Sequence, residues 1–194
     1  MVVELPRKKH QWYEGAKIHV TARGNHRNAI FREAIDYEVY LNCLKEAIEY
    51  YQNKYYVIAY VLMINHVHIV IGTTDKDVSD LIKRVHSRYA CNFNSKYNYV
   101  GHLFQDRYKG KLIRDDWYML EVSRYVHLNP VKAKMIDKPE DYKWSSYNMF
   151  IGEKRDEFIN ADIVLNYFRE ENKYKLYKEF VEGGVRPLDV FSNV

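Results

Sequence analysis

The chain has 194 residues, of which 47% are hydrophobic and 15% aromatic, enough to bury one main domain with a small added element. Lys and Arg number 30 against 26 Asp and Glu, and the surplus lies in residues 1–154, with 24 basic and 18 acidic side chains. This balance favours a polyanionic partner such as nucleic acid. The absence of a long apolar run argues against a membrane span, and two isolated cysteines, Cys43 and Cys91, argue against a disulfide framework, so we expect a cytoplasmic protein.

The first part of the chain predicts one strand, one helix and a pair of strands. Residues 17–23 alternate between apolar and polar side chains, which is typical of a half-buried strand. Apolar residues recur at helical spacing from Asp36 to Tyr51 and predict an amphipathic helix. Residues 55–72 are apolar and rich in β-branched side chains, and a break at residues 63–65 divides them into two strands.

The next part predicts a helix, a strand and another helix. Residues 78–93 carry a helical apolar stripe, and residues 102–114 have the pattern of a strand. A third helix begins at Asp115 and is expected to end near Asn129, because Pro130 lacks an amide donor and its ring opposes a continuing helix.

The predicted order is β-α-β-β-α-β followed by a helix. This order is typical of the ferredoxin-like and RRM-like split β-α-β fold, an α+β antiparallel sheet with helices on one side, here with extra C-terminal helices. Residues 160–182 predict one of these further helices. We therefore divide the chain into a main domain at residues 1–154 and a C-terminal helical extension at residues 155–194.

The stretch INHVHIV, residues 64–70, places two histidines in an apolar strand. Alternation puts His66 and His68 on the same face, where their rings can converge on one metal ion. Taken alone, the pair is explained more simply by ordinary hydrogen bonding, because two ligands do not complete a site. The extended pattern of many zinc hydrolases, His-x-His-x-Asp-His, is not continued here, so hydrolytic zinc chemistry is disfavoured.

The end of the third helix carries a second candidate pair. Tyr125 and Asn129 are four residues apart and project from nearly the same helical face. An amide oxygen can bind Mg²⁺ or Mn²⁺, and a tyrosine hydroxyl can act as a nucleophile toward phosphorus. The chain has 19 tyrosines, so packing is the open alternative for Tyr125.

Five motifs in order resemble the single-tyrosine HUH transposases, the IS200-like and REP-associated tyrosine transposase family, over residues 6–150: HVTARGNHRNAIF, AYVLMINHVHIVIGT, GHLFQDRYKGKLI, YVHLNPVKA and DYKWSSY. The resemblance implies that His66 and His68 form the two-histidine metal motif and that Tyr125 is the nucleophile. In the REP-associated branch an asparagine four residues after the tyrosine completes the metal site, which matches Asn129.

The resemblance implies metal-dependent nicking and transfer of single-stranded DNA, with Mg²⁺ or Mn²⁺ as cofactor. The products are a 5′-phosphotyrosine on the protein and a free 3′-hydroxyl on the DNA. The expected substrate is flanked by hairpins, and the protein acts as a monomer or a homodimer. Candidate contacts to DNA phosphates are basic residues near the predicted site: Arg23, Arg27, Lys83, Arg84, Arg88, Arg107, Lys109 and Lys111. The arm at residues 6–12 is a further candidate.

Two other functions stay open at this point. One is a non-catalytic module that binds nucleic acid on an RRM-like sheet, although the RNP1 aromatic motif is missing from the sequence. The other is a metal-dependent phosphoesterase in which water is the nucleophile. Loss of a covalent protein–DNA product on removal of the Tyr125 hydroxyl separates both from the transposase.

Overall fold

The sheet at the centre of the molecule has four antiparallel strands. The computed structural model describes residues 12–183, so all of the N-terminal arm except Trp12 lies outside the described residues. The strand order is β2-β3-β1-β4, with bounds β1 (Lys17–Arg23), β2 (Tyr55–Met63), β3 (His66–Thr73) and β4 (Lys109–Ile113). This arrangement confirms the predicted α+β split β-α-β fold.

Six α-helices and three short 3-10 turns complete the described part of the chain. The helices are α1 (Ala34–Tyr50), α2 (Val78–Tyr97), α3 (Asp116–Lys132), α4 (Tyr147–Phe150), α5 (Asp162–Leu165) and α6 (Lys173–Glu182). The 3-10 turns lie at Asn25–Arg27, Pro139–Asp141 and Glu170–Asn172. Between residues 12 and 183, none of these helices has both the length and the apolar content needed to cross a membrane.

The two faces of the sheet differ in chemistry. Ile18, Val20 and Ala22 of β1 point to one face, where they are buried in the core shared with α1 and α2. The register sets Thr21 of β1 opposite His68 of β3, so polar side chains collect on the other face. Helix α3 lies against this second face and packs mainly on β2 and β3. The candidate site therefore lies beside α3, on the face of the sheet opposite to Ile18 and Val20.

The predicted strand at residues 102–114 was too long. Only Lys109–Ile113 joins the sheet as β4, and before it Phe104 makes a single bridge to Gly24. Strand β1 ends at Arg23 and is followed by a 3-10 turn, so the residues before β4 have no continuous partner strand. They form a loop that borders the histidine face.

The end of the third helix was also predicted wrongly. Helix α3 continues through Pro130 to Lys132, and the amide of Ala133 still donates to the carbonyl of Asn129 at 2.9 Å. A proline removes only one amide donor, and this one lies in the last turn with its ring buried, so the loss is tolerated. Asn129 therefore keeps a helical relationship to Tyr125.

The helix predicted at residues 160–182 is interrupted. Helices α5 and α6 are separated by extended backbone at Arg169 and a 3-10 turn, which lets Phe168 pack its ring 5.6 Å from that of Tyr177. Tyr177, Phe180 and Val181 of α6 are fully buried and belong to the same core as the sheet. A boundary at residue 154 between a main domain and an extension stays a prediction.

Candidate active site

A cleft of about 900 Å³ lies between the histidine face of the sheet, the loop before β4, and α3. Its walls include His66, His68, Tyr125 and Asn129, the four residues that the sequence predicts as nucleophile and ligands. Five of the predicted phosphate contacts also line it: Arg23, Arg27, Arg107, Lys109 and Lys111. The structure therefore gathers into one basic cleft residues that are up to about 100 positions apart in sequence.

Helix α3 presents Tyr125 to the cleft. Asp115 caps the helix by accepting a 2.7 Å hydrogen bond from the amide of Tyr118, and the opposite helical face is buried through Ser123 and His127. Tyr125 itself is 40% exposed, and its ring centroid lies 5.3 Å from that of His68. The hydroxyl-bearing side chain is thus accessible and stands beside the histidine pair.

The local hydrogen bonds of His66 leave one ring nitrogen free. Its Nδ1 lies 2.7 Å from Oδ1 of Asn65, whose Nδ2 in turn donates to the carbonyl of Arg27 at 3.0 Å. Because an amide oxygen only accepts, Nδ1 of His66 carries the proton and Nε2 keeps its lone pair. His66 is therefore held in the tautomer that can bind a metal through Nε2.

His68 lies deeper than His66, and its Nδ1 is also engaged. The distance from His68 Nδ1 to His19 Nε2 is 3.0 Å, and Thr21 Oγ1 lies 3.5 Å away. The rings of His66 and His68 stand edge to face with centroids 5.1 Å apart. Three imidazoles from two neighbouring strands thus meet beneath Tyr125.

All three imidazoles are neutral at physiological pH. Burial, with Arg23 nearby, lowers the pKa of His66 to about 4. Burial, with the neighbouring histidines and Arg23, lowers the pKa of His68 to about 3. Burial and the ammonium group of Lys111 lower the pKa of His19 to about 4. Neutral imidazole is the form that binds a metal.

Asn129 offers an oxygen to the same cleft. Its Nδ2 donates a hydrogen bond to the carbonyl of Tyr125 at 2.7 Å. This bond does not use Oδ1, which is therefore available as a ligand. Two imidazole nitrogens and an amide oxygen suit Mn²⁺, the amide oxygen also suits Mg²⁺, and three ligands leave positions for phosphate oxygens. Between residues 12 and 183, no group of three His, Cys, Asp or Glu side chains is arranged to hold a metal, so the candidate set depends on this amide.

Three predicted DNA contacts lie on α2 outside the cleft: Lys83, Arg84 and Arg88. The guanidinium of Arg84 stacks on the ring of Tyr50, 3.5 Å from its centroid. Arg88 pairs with Glu46 at 2.5 Å. The two arginines thus have partners on the α1 side of the molecule, and a role for the three residues in DNA binding stays a prediction.

Sequence reasoning missed several residues of the cleft. His19, Tyr118 and Glu121 line it. Alternation in β1 places His19 on the polar face, but only the register between β1 and β3 shows that it reaches His68. Spacings of four and seven residues from Tyr125 along α3 indicate that Glu121 and Tyr118 share its helical side.

His127, two residues after Tyr125, points to the opposite side of α3. It is fully buried, with Nδ1 2.7 Å from the hydroxyl of Tyr177 and Nε2 2.8 Å from Oγ of Ser146. Ser146 also accepts a 2.9 Å hydrogen bond from the amide of Tyr60 in β2. His127 therefore links α3 to α6 and to the sheet through hydrogen bonds, and it does not line the cleft.

Comparison with known proteins identifies the family of the chain. The family model described as IS200-like transposase matches residues 13–129, which include both histidines, Tyr125 and Asn129. A search of curated proteins finds no significant match.

Among solved structures, the chain is similar to a REP-associated tyrosine transposase bound to a REP hairpin. The TM-score is 0.64 at 14% sequence identity, and the match covers 80% of this chain and 98% of the other. The likeness supports a shared fold. A tRNA(His) guanylyltransferase from Saccharomyces cerevisiae matches at a TM-score of 0.47 and 11% identity, over 97% of this chain and 85% of the other, a likeness too weak to bear on function.

Proposed function

The chain belongs to the IS200-like transposase family, and on this basis we propose that it nicks single-stranded DNA and transfers the strand through a covalent bond to Tyr125. The observation that carries the proposal is the position of Tyr125, whose ring lies 5.3 Å from His68 in a cleft lined by arginine and lysine. A phosphate drawn into this cleft by the cations meets an accessible hydroxyl and a set of metal ligands together.

Mg²⁺ or Mn²⁺ is the proposed cofactor, held by His66 and His68 through Nε2 and by Asn129 through its amide oxygen. When bound, the ion supplies positive charge beside the scissile phosphate. His66 is partly buried, His68 is buried and both are neutral, so they are preformed for binding and need no proton release.

Tyr125 is the proposed nucleophile. Its hydroxyl oxygen bonds to the scissile phosphorus, the bond from phosphorus to the 3′-oxygen breaks, and the phenolic proton passes to solvent while the 3′-oxygen gains a proton. One DNA end is then bound to the tyrosine through its 5′-phosphate, and the other DNA end carries a free 3′-hydroxyl. Because the phosphodiester bond is exchanged and not hydrolysed, a second 3′-hydroxyl can attack and reverse the step without a nucleotide cofactor.

The proposed substrate is a single strand flanked by a hairpin. The structural relative at TM-score 0.64 is described as bound to a REP hairpin. In this chain, Arg23, Arg27 and the β4 lysines all line the cleft, and their positive charge suits a phosphate backbone. The nucleophile and the ligands come from one chain, so we propose action in cis, by a cytoplasmic monomer or by each subunit of a homodimer.

A denaturing gel tests the proposal against its alternatives. The protein is incubated with Mn²⁺ and a pool of labelled hairpin-flanked single strands, and the transposase gives a covalent protein–DNA band that Tyr125→Phe abolishes. Tyr118→Phe is the matched control, because this tyrosine lines the same cleft on the same helix. Cleavage that survives Tyr125→Phe indicates a phosphoesterase, and binding without cleavage indicates a binding module.

A further inference from the structure

Of the three imidazoles beneath Tyr125, His19 has no role in the reaction proposed above. It lies on β1, diagonal to His68 across the β1–β3 pair, and the two rings lie with their planes 26° from parallel and their centroids 5.2 Å apart. Its Nε2 is 3.0 Å from His68 Nδ1, a hydrogen-bond distance between two ring nitrogens. A contact of this kind holds one proton, which either ring can supply.

We propose that His19 is a positioning residue: it accepts a hydrogen bond from Nδ1–H of His68 and thereby keeps the lone pair of His68 Nε2 for the metal. This inference rests on the proposed function. If the proton lay instead on His68 Nε2, that nitrogen could not bind a metal, so the direction of this one hydrogen bond decides whether the pair of histidines is a ligand pair.

The environment of His66 supports the same direction at His68. There Asn65 Oδ1 takes the proton of Nδ1 and leaves Nε2 free. His19 occupies the equivalent position toward His68, so each histidine of the pair has an acceptor at Nδ1. The second neighbour of His68 Nδ1, Thr21 Oγ1, lies at 3.5 Å, the limit of a hydrogen bond, and is a poor substitute.

Neighbouring charges do not offer His68 another acceptor. Glu121 of α3 lines the same cleft, but within the described part of the chain the hydrogen bonds of His68 Nδ1 go only to His19 and Thr21. The charged residues on the neighbouring strands are Lys111, opposite His19 in the β1–β4 register, and Arg23, opposite His66. Both are cations, which donate and cannot accept. His19 therefore provides the acceptor nearest to His68 Nδ1 among the contacts that the structure describes between residues 12 and 183.

Nitrogen NMR of the metal-free protein tests the direction of the hydrogen bond without any variant. Long-range ¹H–¹⁵N spectra assign the protonated nitrogen of each histidine, and the proposal predicts Nδ1–H for His68. A spectrum with Nε2–H on His68 overturns it. This measurement needs no Mn²⁺ and therefore tests the tautomer independently of metal binding. Failure of the wild-type protein to bind Mn²⁺ would contradict the proposed function, whereas Nε2–H on His68 would contradict the role of His19.

Mn²⁺ affinity, measured by the electron paramagnetic resonance of free Mn²⁺, tests the consequence. His19→Leu removes the acceptor and is expected to weaken binding about 10–100-fold. His19→Gln restores an acceptor at this position and is expected to recover most of the loss, which a merely structural role for the ring would not give. Equal Mn²⁺ affinity in wild type and a folded His19→Leu overturns the proposal, as does a His19→Gln variant as weak as His19→Leu.

Discussion

The ring of Tyr125 stands edge-on to the ring of His68, at an interplanar angle of 86°. One residue lies on a helix and the other on a strand 57 positions earlier in the chain. Helix α3 can hold this position because its other side is tied down by His127, which contacts both α6 and the segment beside β2. The geometry of the cleft thus depends on packing on the far side of the helix.

Asn129 is expected to bind the metal through its oxygen. Asn129→Ala should weaken Mn²⁺ binding by at least about tenfold, or about 1.4 kcal/mol. Asn129→Asp should bind Mn²⁺ at least as well as wild type, because it keeps an oxygen ligand and adds charge. Both variants lose the hydrogen bond to the carbonyl of Tyr125, so the comparison by titration calorimetry isolates the ligand. Equal weakening in the two variants would contradict this role.

Lys109 is expected to contact a DNA phosphate, because it is exposed and lines the cleft. Lys109→Ala should lower the affinity for a hairpin-flanked single strand and reduce the salt slope of binding by about 1. Lys175, an exposed lysine on α6, provides the control, and Lys175→Ala should leave the slope unchanged. Fluorescence anisotropy over a salt series measures both. An equal loss for Lys175→Ala would contradict a specific phosphate contact at Lys109.

The fold could be predicted from the sequence because periodicity reports directly on local structure. Alternation in residues 17–23 and helical spacing from Asp36 gave β1 and α1 nearly to the residue. The length of β4 could not be predicted, since it depends on where its partner β1 ends. The interruption between α5 and α6 depends on how Phe168 packs against Tyr177, a contact that no local pattern encodes.

The candidate site, like the fold, could be predicted from the sequence only in part. Same-face spacing predicted the pairing of His66 with His68 and of Tyr125 with Asn129. The prediction that these four residues lie in one cleft came from the family resemblance, and the geometry of the chain agrees with it. The contact of His19 with His68 required the register of two strands that are separated by a helix and a third strand. Sequence spacing carries no information on that register.

His86 should make folding sensitive to acid. Its ring stacks on Phe104, 4.1 Å between centroids, its Nε2 is 3.2 Å from the hydroxyl of Tyr40, and burial lowers its pKa to about 3. Because this pKa lies below the unfolded value of about 6.5, the unfolded chain binds a proton first as the pH falls. The contribution to stability is complete above about pH 6.5 and is lost between there and about pH 3, by up to about 1.4 kcal/mol per pH unit.

His86→Gln removes this proton-binding group and keeps a neutral polar partner for Tyr40. Urea unfolding at several pH values should show a smaller decline in the free energy of unfolding for the variant than for wild type below about pH 6.5. Curves that run parallel across this range would show that His86 has the same pKa in the folded and unfolded chain.

Tyr177 should stabilise the attachment of α6 to α3. Its hydroxyl donates to Ser123 Oγ at 3.1 Å and lies 2.7 Å from Nδ1 of His127. Tyr177→Phe leaves these buried groups short of a partner, and we expect a loss of about 1–3 kcal/mol in the free energy of unfolding. Tyr174→Phe, on the same helix but 40% exposed, should change it by less than about 0.5 kcal/mol. Similar values for the two variants in urea unfolding would contradict the prediction.

Mass spectrometry of the covalent product tests the central claim most directly. The protein is reacted with a hairpin-flanked single strand and Mn²⁺, digested with a protease and a nuclease, and searched for peptides that carry a nucleotide. The account predicts a 5′-linked nucleotide on the peptide that contains Tyr125 and none on the peptide that contains Tyr118. A nucleotide on another residue, or cut DNA with no nucleotide on any peptide, would contradict it.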